Sequence, residues 1–185
     1  MEQIIPFKSS VIMAGIGGRG VLMAGRLLAD AAIKKYERVI YFPSYGLQMR
    51  SGPVECTIAI SHDRIGSPVL AKADAVVIYE ASQIKPYEGR VRQGGKFVIE
   101  KHGAQENVER DDITVLEIPA METASTMGNI QVANMILLGA YIGAIEIFSP
   151  DIIEDEIERR HKSRGEEALL AMNIEAFRKG IQLAS

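Results

Sequence analysis

Six consecutive residues, Gly15-Ile16-Gly17-Gly18-Arg19-Gly20, constrain this chain more than any other feature. They follow a short apolar run at 9–14. They precede Val21, Leu22, Ala24, Leu27, Leu28, Ala31 and Ala32, which recur at helical spacing to about residue 35. An apolar run closed by glycines reads as a buried strand, and apolar residues at i, i+3, i+4 form one face of a helix. The unit is therefore strand, glycine turn, helix. Glycines at such a turn reverse the chain tightly and let a ligand approach the amides of the helix N-terminus.

The same pattern continues along the chain. Residues 38–42 form a strand rich in Val, Ile and aromatics, which Pro43 is expected to end. Residues 44–52 are a polar, glycine-containing loop. Residues 55–61 alternate, with Cys56, Ile58 and Ile60 on one face, as in a half-buried strand that is antiparallel or at an edge. Continuous apolar strands follow at 75–79, 95–100 and 113–118, the last closed by Pro119. Residues 128–147 are helical in pattern and apolar almost all round, which marks a buried helix and, in a small domain, one buried against a partner. Ser149-Pro150-Asp151 starts a further helix that Gly165 is expected to end, and a last helix runs from Glu166 with Leu170, Ile174, Phe177 and Ile181 on one stripe. Strands alternating with helices predict an α/β fold. The expected form is a Rossmann-like three-layer sandwich, with a mainly parallel sheet and helices on both faces. At 185 residues it is read as a single domain spanning 1–185.

The glycine turn meets the first requirement of a dinucleotide site and fails the second. That site also needs an acidic residue about 20 positions on, at the end of the second strand. Here the second strand ends Ile40-Tyr41-Phe42-Pro43, and Glu37 lies before it. No Lys-Ser or Lys-Thr follows the glycines, so a P-loop is excluded too. The turn is left as either a packing device or a site for an anion or a partner. In a doubly wound sheet the loop Tyr45-Gly46 to Arg50-Ser51-Gly52 leaves the same sheet edge, so Arg19 and Arg50 can share one mouth. Two guanidiniums with glycine amides suit a phosphate or a carboxylate. The alternative is that both arginines pair with carboxylates of this or another chain.

Composition removes other classes. Lys plus Arg is 21 and Asp plus Glu is 24, so the net charge is -3, unlike a general nucleic-acid binder. A single Cys, Cys56, excludes a disulfide framework. It also excludes an iron–sulfur or zinc site made from this chain's thiolates alone. Its alternation places it in the core, not in a nucleophile's setting. Three His leave little for a metal site, so neither catalytic nor metal-ligating residues are assigned. The longest apolar stretch, 135–145, holds Gly139 and Gly143 and is shorter than the roughly 20 residues of a membrane span. The first residues lack a signal-peptide pattern, and with the lone thiol this points to the cytoplasm and to no membrane partner.

The glycine turn with Val21, Gly25 and Leu28, then Pro43-Ser44-Tyr45-Gly46 with Arg50-Ser51-Gly52, resembles the gamma subunit of 2-oxoacid:ferredoxin (acceptor) oxidoreductases. The resemblance continues through Ile65-Gly66-Ser67-Pro68, Ala73-Asp74, Gly128-Asn129 with Asn134, Leu138-Gly139-Ala140, and Asn173 with Ala176-Phe177. Arg19 and Ser51 depart from it, where Gln and Gly are usual. The resemblance implies one subunit of an enzyme that decarboxylates a 2-oxoacid, 2-oxoglutarate favoured with pyruvate and branched-chain or aryl oxoacids left open, and forms an acyl-CoA. Thiamine diphosphate, magnesium and iron–sulfur clusters would lie on alpha, beta and possibly ferredoxin-like delta chains, with ferredoxin as acceptor and a homodimer possible. This chain would hold no cofactor alone. It would shape the entry for coenzyme A with Gly15, Gly17, Gly18, Arg19, Gly20, Tyr45, Gly46, Arg50, Ser51 and Gly52. The alternatives are a free-standing phosphate- or nucleotide-binding module and a purely structural assembly subunit.

Overall fold

Runs of β-branched residues become buried strands, and the amphipathic segments between them become helices that cover the sheet. The computed structural model describes residues 8–46, 52–104, 108–147, 149–162 and 167–184. The strands are β1 (Lys8–Ile16), β2 (Arg38–Tyr45), β3 (Pro53–Ser61), β4 (Ala73–Ile78), β5 (Val91–Glu100) and β6 (Thr114–Ile118). The helices are α1 (Val21–Ala32), α2 (Ile84–Glu88), α3 (Ala120–Thr126), α4 (Ala133–Ile145), α5 (Asp151–Lys162) and α6 (Glu167–Leu183). The sheet runs in the order β2-β3-β1-β4-β5-β6. β1, β4, β5 and β6 are mutually parallel, while β3 is antiparallel to both its neighbours. This is the expected α/β sandwich, with an antiparallel hairpin added to one side of a parallel core.

Alternation along the strands divides the core. Val11, Met13, Val77 and Val98 point to the layer that holds α1, α3, α4, α5 and α6. Ile12, Ala14, Val76, Ile78, Phe97 and Ile99 point to the other layer, which is thinner and covered by Ile84 of α2 with Leu70, Tyr87, Val108 and Ile113. Cys56, Ile58 and Ile60 face the thick layer, as their alternation predicts.

Three features go against or beyond the expectations. Pro43 does not end β2. It pairs opposite Cys56, and the strand continues to Tyr45. β2 is the edge strand, where one side of the backbone has no ladder partner and proline is tolerated. Second, β3 lies between β2 and β1 in the sheet. The hairpin loop nevertheless returns to the glycine turn, where Gly17 N–H donates to the Gly52 carbonyl at 2.8 Å. Third, the all-apolar helix needs no partner chain to bury it. α4 is covered by α6 of the same chain on one side and the sheet on the other, and Ala133 to Ile142 are all buried. Gly165 lies outside the described residues. Among the described residues no helix is long and apolar enough to cross a membrane.

Candidate functional site

The glycine turn holds three distinct devices. Gly15 is packed so closely that a Cβ would stand 2.9 Å from the Tyr79 Cβ, so it serves the β1–β4 contact. Gly18 has φ +94° and faces open space. Gly20 has φ +75° and caps α1 without a side chain, and the Ala24 N–H donates to its carbonyl at 3.0 Å. A Cβ on Gly20 would meet the Asn134 side chain, with the Asn134 Cγ at 2.8 Å. Gly20 is therefore glycine for two reasons, its left-handed backbone and the room it leaves for Asn134. The first turn of α1 has no acidic residue and no side-chain cap, which leaves its positive end uncompensated.

The chain of strands sets where this turn lies. From β1 the polypeptide moves to one side of the sheet, to β2 and β3. From β4 it moves to the other side, to β5 and β6. Such a switch opens a crevice at the C-terminal ends of the parallel strands, the usual ligand position in open α/β sheets. A cavity of about 80 Å³ lies there, lined by Gly18, Arg19, Tyr79, Glu100, Asn134 and Leu137 among others. Met121, Ile130 and Gln131 complete it from the α3–α4 side.

Arg19 spans this cavity. Its guanidinium lies 3.0 Å from the Glu80 carboxylate and 3.6 Å from the Met121 sulfur. Its charge is thus met within the chain, as the alternative reading of the sequence allowed. Glu100 is 2% exposed at the end of β5. It accepts N–H bonds from His102 at 2.8 Å and Met121 at 3.0 Å, and so ties α3 to the sheet. Burial pushes its carboxyl above the ordinary value, against the pull of those bonds. Asn134 is 4% exposed, and its Oδ1 has no hydrogen-bond partner.

The hairpin loop supplies the remaining candidates. Gly46 faces open space, and Gly52 holds Gly17 as described above. Tyr45 ends β2 opposite Val54, with its side chain outside the described residues; Arg50 and Ser51 lie outside them entirely. Cys56 is fully buried, its Sγ packed near the Val21 carbonyl at 3.9 Å. Burial, with Glu55 adding to it, pushes its thiol up to about 12, which suits a core residue. No group of three His, Cys, Asp or Glu that could hold a metal occurs among the described residues.

Tyr79, Glu100, Met121 and Asn134 join the site although no local motif in the sequence marks them. A Glu closing the buried strand 95–100 is one available signal, since a carboxylate at a parallel strand's C-terminal end faces the ligand edge, and a polar Asn134 within an apolar helix is another.

The model of the family described as pyruvate ferredoxin/flavodoxin oxidoreductase matches residues 10–183. A ketoisovalerate oxidoreductase subunit VorA from Methanothermobacter marburgensis is 29% identical over 175 residues, covering 94% of this chain and 36% of that protein. The chain thus spans about a third of that relative. A 2-oxoglutarate synthase subunit KorC from the same organism is also 29% identical, covering 95% of this chain and 96% of its own length. Among solved structures, the 2-oxoglutarate:ferredoxin oxidoreductase from Magnetococcus marinus, with 2-oxoglutarate, coenzyme A and succinyl-CoA bound, superposes with a TM-score of 0.86. It is 24% identical and covers 96% of this chain and 31% of that one, a likeness of fold.

Proposed function

The chain belongs to the pyruvate ferredoxin/flavodoxin oxidoreductase family, and from that premise we propose that it is the gamma-type subunit of a multi-subunit 2-oxoacid:ferredoxin oxidoreductase. It forms an acyl-CoA only together with alpha and beta chains, with or without a delta chain, and 2-oxoglutarate is the favoured substrate. The observation that carries this reading is the end-to-end match to a separate gamma-sized subunit of a 2-oxoglutarate synthase. The longer relatives have this region as about a third of one chain.

The chain's own chemistry supports a division of labour. One buried thiol, pushed up to about 12, does not fit an iron–sulfur cluster, and the described residues bring no three His, Cys, Asp or Glu together to hold thiamine's magnesium. These cofactors belong on the partner chains. What this chain supplies is the ligand edge. Gly15, Gly17, Gly18, Arg19 and Gly20, with Tyr45, Gly46, Arg50, Ser51 and Gly52, form the mouth through which coenzyme A reaches the partners' reaction centre.

Arg50 tests it. Its partner would be a coenzyme A phosphate, and loss of one charge-assisted contact costs about 1.5–3 kcal/mol, roughly 10- to 150-fold in apparent affinity. In the enzyme assembled with its partner chains, Arg50→Ala is expected to raise KM for coenzyme A by that factor. Reduction of the clusters by the 2-oxoacid in the absence of coenzyme A continues. Unchanged coenzyme A dependence removes the loop from the site. If assembly and both half-reactions fail together, Arg50 instead pairs across a subunit boundary.

A further inference from the structure

We propose that the cavity behind the glycine turn receives the neutral, amide-bearing pantetheine arm of coenzyme A, with Asn134 as its recognition residue; this rests on the coenzyme A reading above. Charge carries the first part of the argument. Among the described residues that line this wall the one guanidinium, Arg19, is paired with Glu80 at 3.0 Å, and a buried carboxylate, Glu100, forms another part of the wall. A phosphate placed here would face two carboxylates and one cation already engaged, so the phosphates belong elsewhere on the mouth. A neutral group meets no such opposition.

Hydrogen bonding carries the second part. Asn134 lines the cavity, is 4% exposed, and leaves Oδ1 without a partner. Buried carboxamide oxygens are nearly always bonded, and one left open costs the free chain stability. The carboxamide both donates and accepts, and a half-turn about its last bond exchanges the two ends. Its complement is another amide. Gln131 adds a second carboxamide at the mouth, while Met121, Leu137 and the half-exposed Ile130 offer apolar surface for flanking methylenes. At about 80 Å³ the space is a little under three times one water's share of the liquid, enough for a single amide with its neighbouring carbons. Gly20 is the other half of the device, because any Cβ there would displace the Asn134 amide.

The test uses the assembled enzyme with two acyl acceptors, coenzyme A and pantetheine, and with adenosine 3′,5′-bisphosphate as inhibitor. Asn134→Leu keeps the approximate shape and removes the amide. It is expected to lower kcat/KM by several-fold to about tenfold, the worth of one neutral hydrogen bond, with coenzyme A and pantetheine alike. The inhibition constant of the bisphosphate stays the same. The unliganded variant chain should melt at or above the wild-type temperature, because an unbonded buried oxygen has been removed. Arg50→Ala, by contrast, impairs coenzyme A and spares pantetheine. Should Asn134→Leu not fold, Ala133→Leu fills the cavity from α4 and must produce the same parallel loss. The inference is overturned if pantetheine turnover is unaffected by either variant, or if Asn134→Leu melts lower while acceptor use is intact. An assembled enzyme that turns over 2-oxoacid and uses neither acceptor overturns the coenzyme A reading itself.

Discussion

Gly18 and Gly20 are two positions apart and both left-handed, yet they respond to substitution differently. Gly18 faces open space, so Gly18→Ala meets only the backbone cost of a side chain at φ +94°, about 1–2 kcal/mol. Gly20→Ala adds an overlap with the Asn134 side chain deep in the wall. The expected loss is about 3 kcal/mol or more, since strain and overpacking add. Urea unfolding of the two variants checks this, and equal losses would mean that Asn134 moves aside freely. The turn itself was legible because its four glycines fall within six residues of local sequence that need only a strand before and a helix after. The cavity was not. Arg19 and Met121 are 102 positions apart, and no local period reports that they touch. Asn134 is polar within an apolar helix, an anomaly visible in the sequence, but its meaning depends on Gly20 lying against it.

At the scale of elements, α4 shows what hydropathy can and cannot settle. Its apolar residues on every side announce burial, and the helix is buried, but the pattern does not say by what. The answer lies in α6. Gly139 of α4 and Gly180 of α6 bring the two backbones into contact. A Cβ on Gly180 would stand 2.8 Å from the Ile136 carbonyl carbon and 2.9 Å from the Ala140 nitrogen; one on Gly139 would stand 2.9 Å from the Phe177 carbonyl carbon. Backbone atoms of a packed helix cannot retreat as the end of a side chain can. Gly180→Ala is therefore expected to separate the helices, at about 3 kcal/mol or more. Gly143→Ala, whose nearest neighbours are at 3.2 Å, should cost less. Thermal melts of both variants give the order, and the reverse order would place the tight crossing elsewhere on α6. β2 gives the complementary lesson. Pro43 reads as a stop because proline breaks a central ladder, but the strand lies at an edge, and edge position is a property of the whole sheet.

The whole molecule changes what assembly has to do. The apolar helix suggested a chain that self-associates or needs partners to be stable. With α4 enclosed by α6 and the sheet, that motive is gone. Among the described residues the large apolar side chains left exposed are Ile33, Phe42, Val69, Ile130, Leu169 and Leu183, drawn from α1's end, the sheet edge, loops and both ends of α6. Single exposed residues of this kind are ordinary, whereas an obligate interface needs a contiguous patch. The chain should therefore fold by itself. Because coupling to association makes a melting point rise with concentration, the chain alone should melt at one temperature over two decades of concentration. A midpoint that climbs with concentration would restore self-association as part of its stability. A constant midpoint means that the fold does not depend on association. The part that partner chains would complete is the C-terminal edge of the sheet, where the cavity and the glycine turn lie, on a scaffold that holds Arg19, Glu100 and Asn134 in place beforehand.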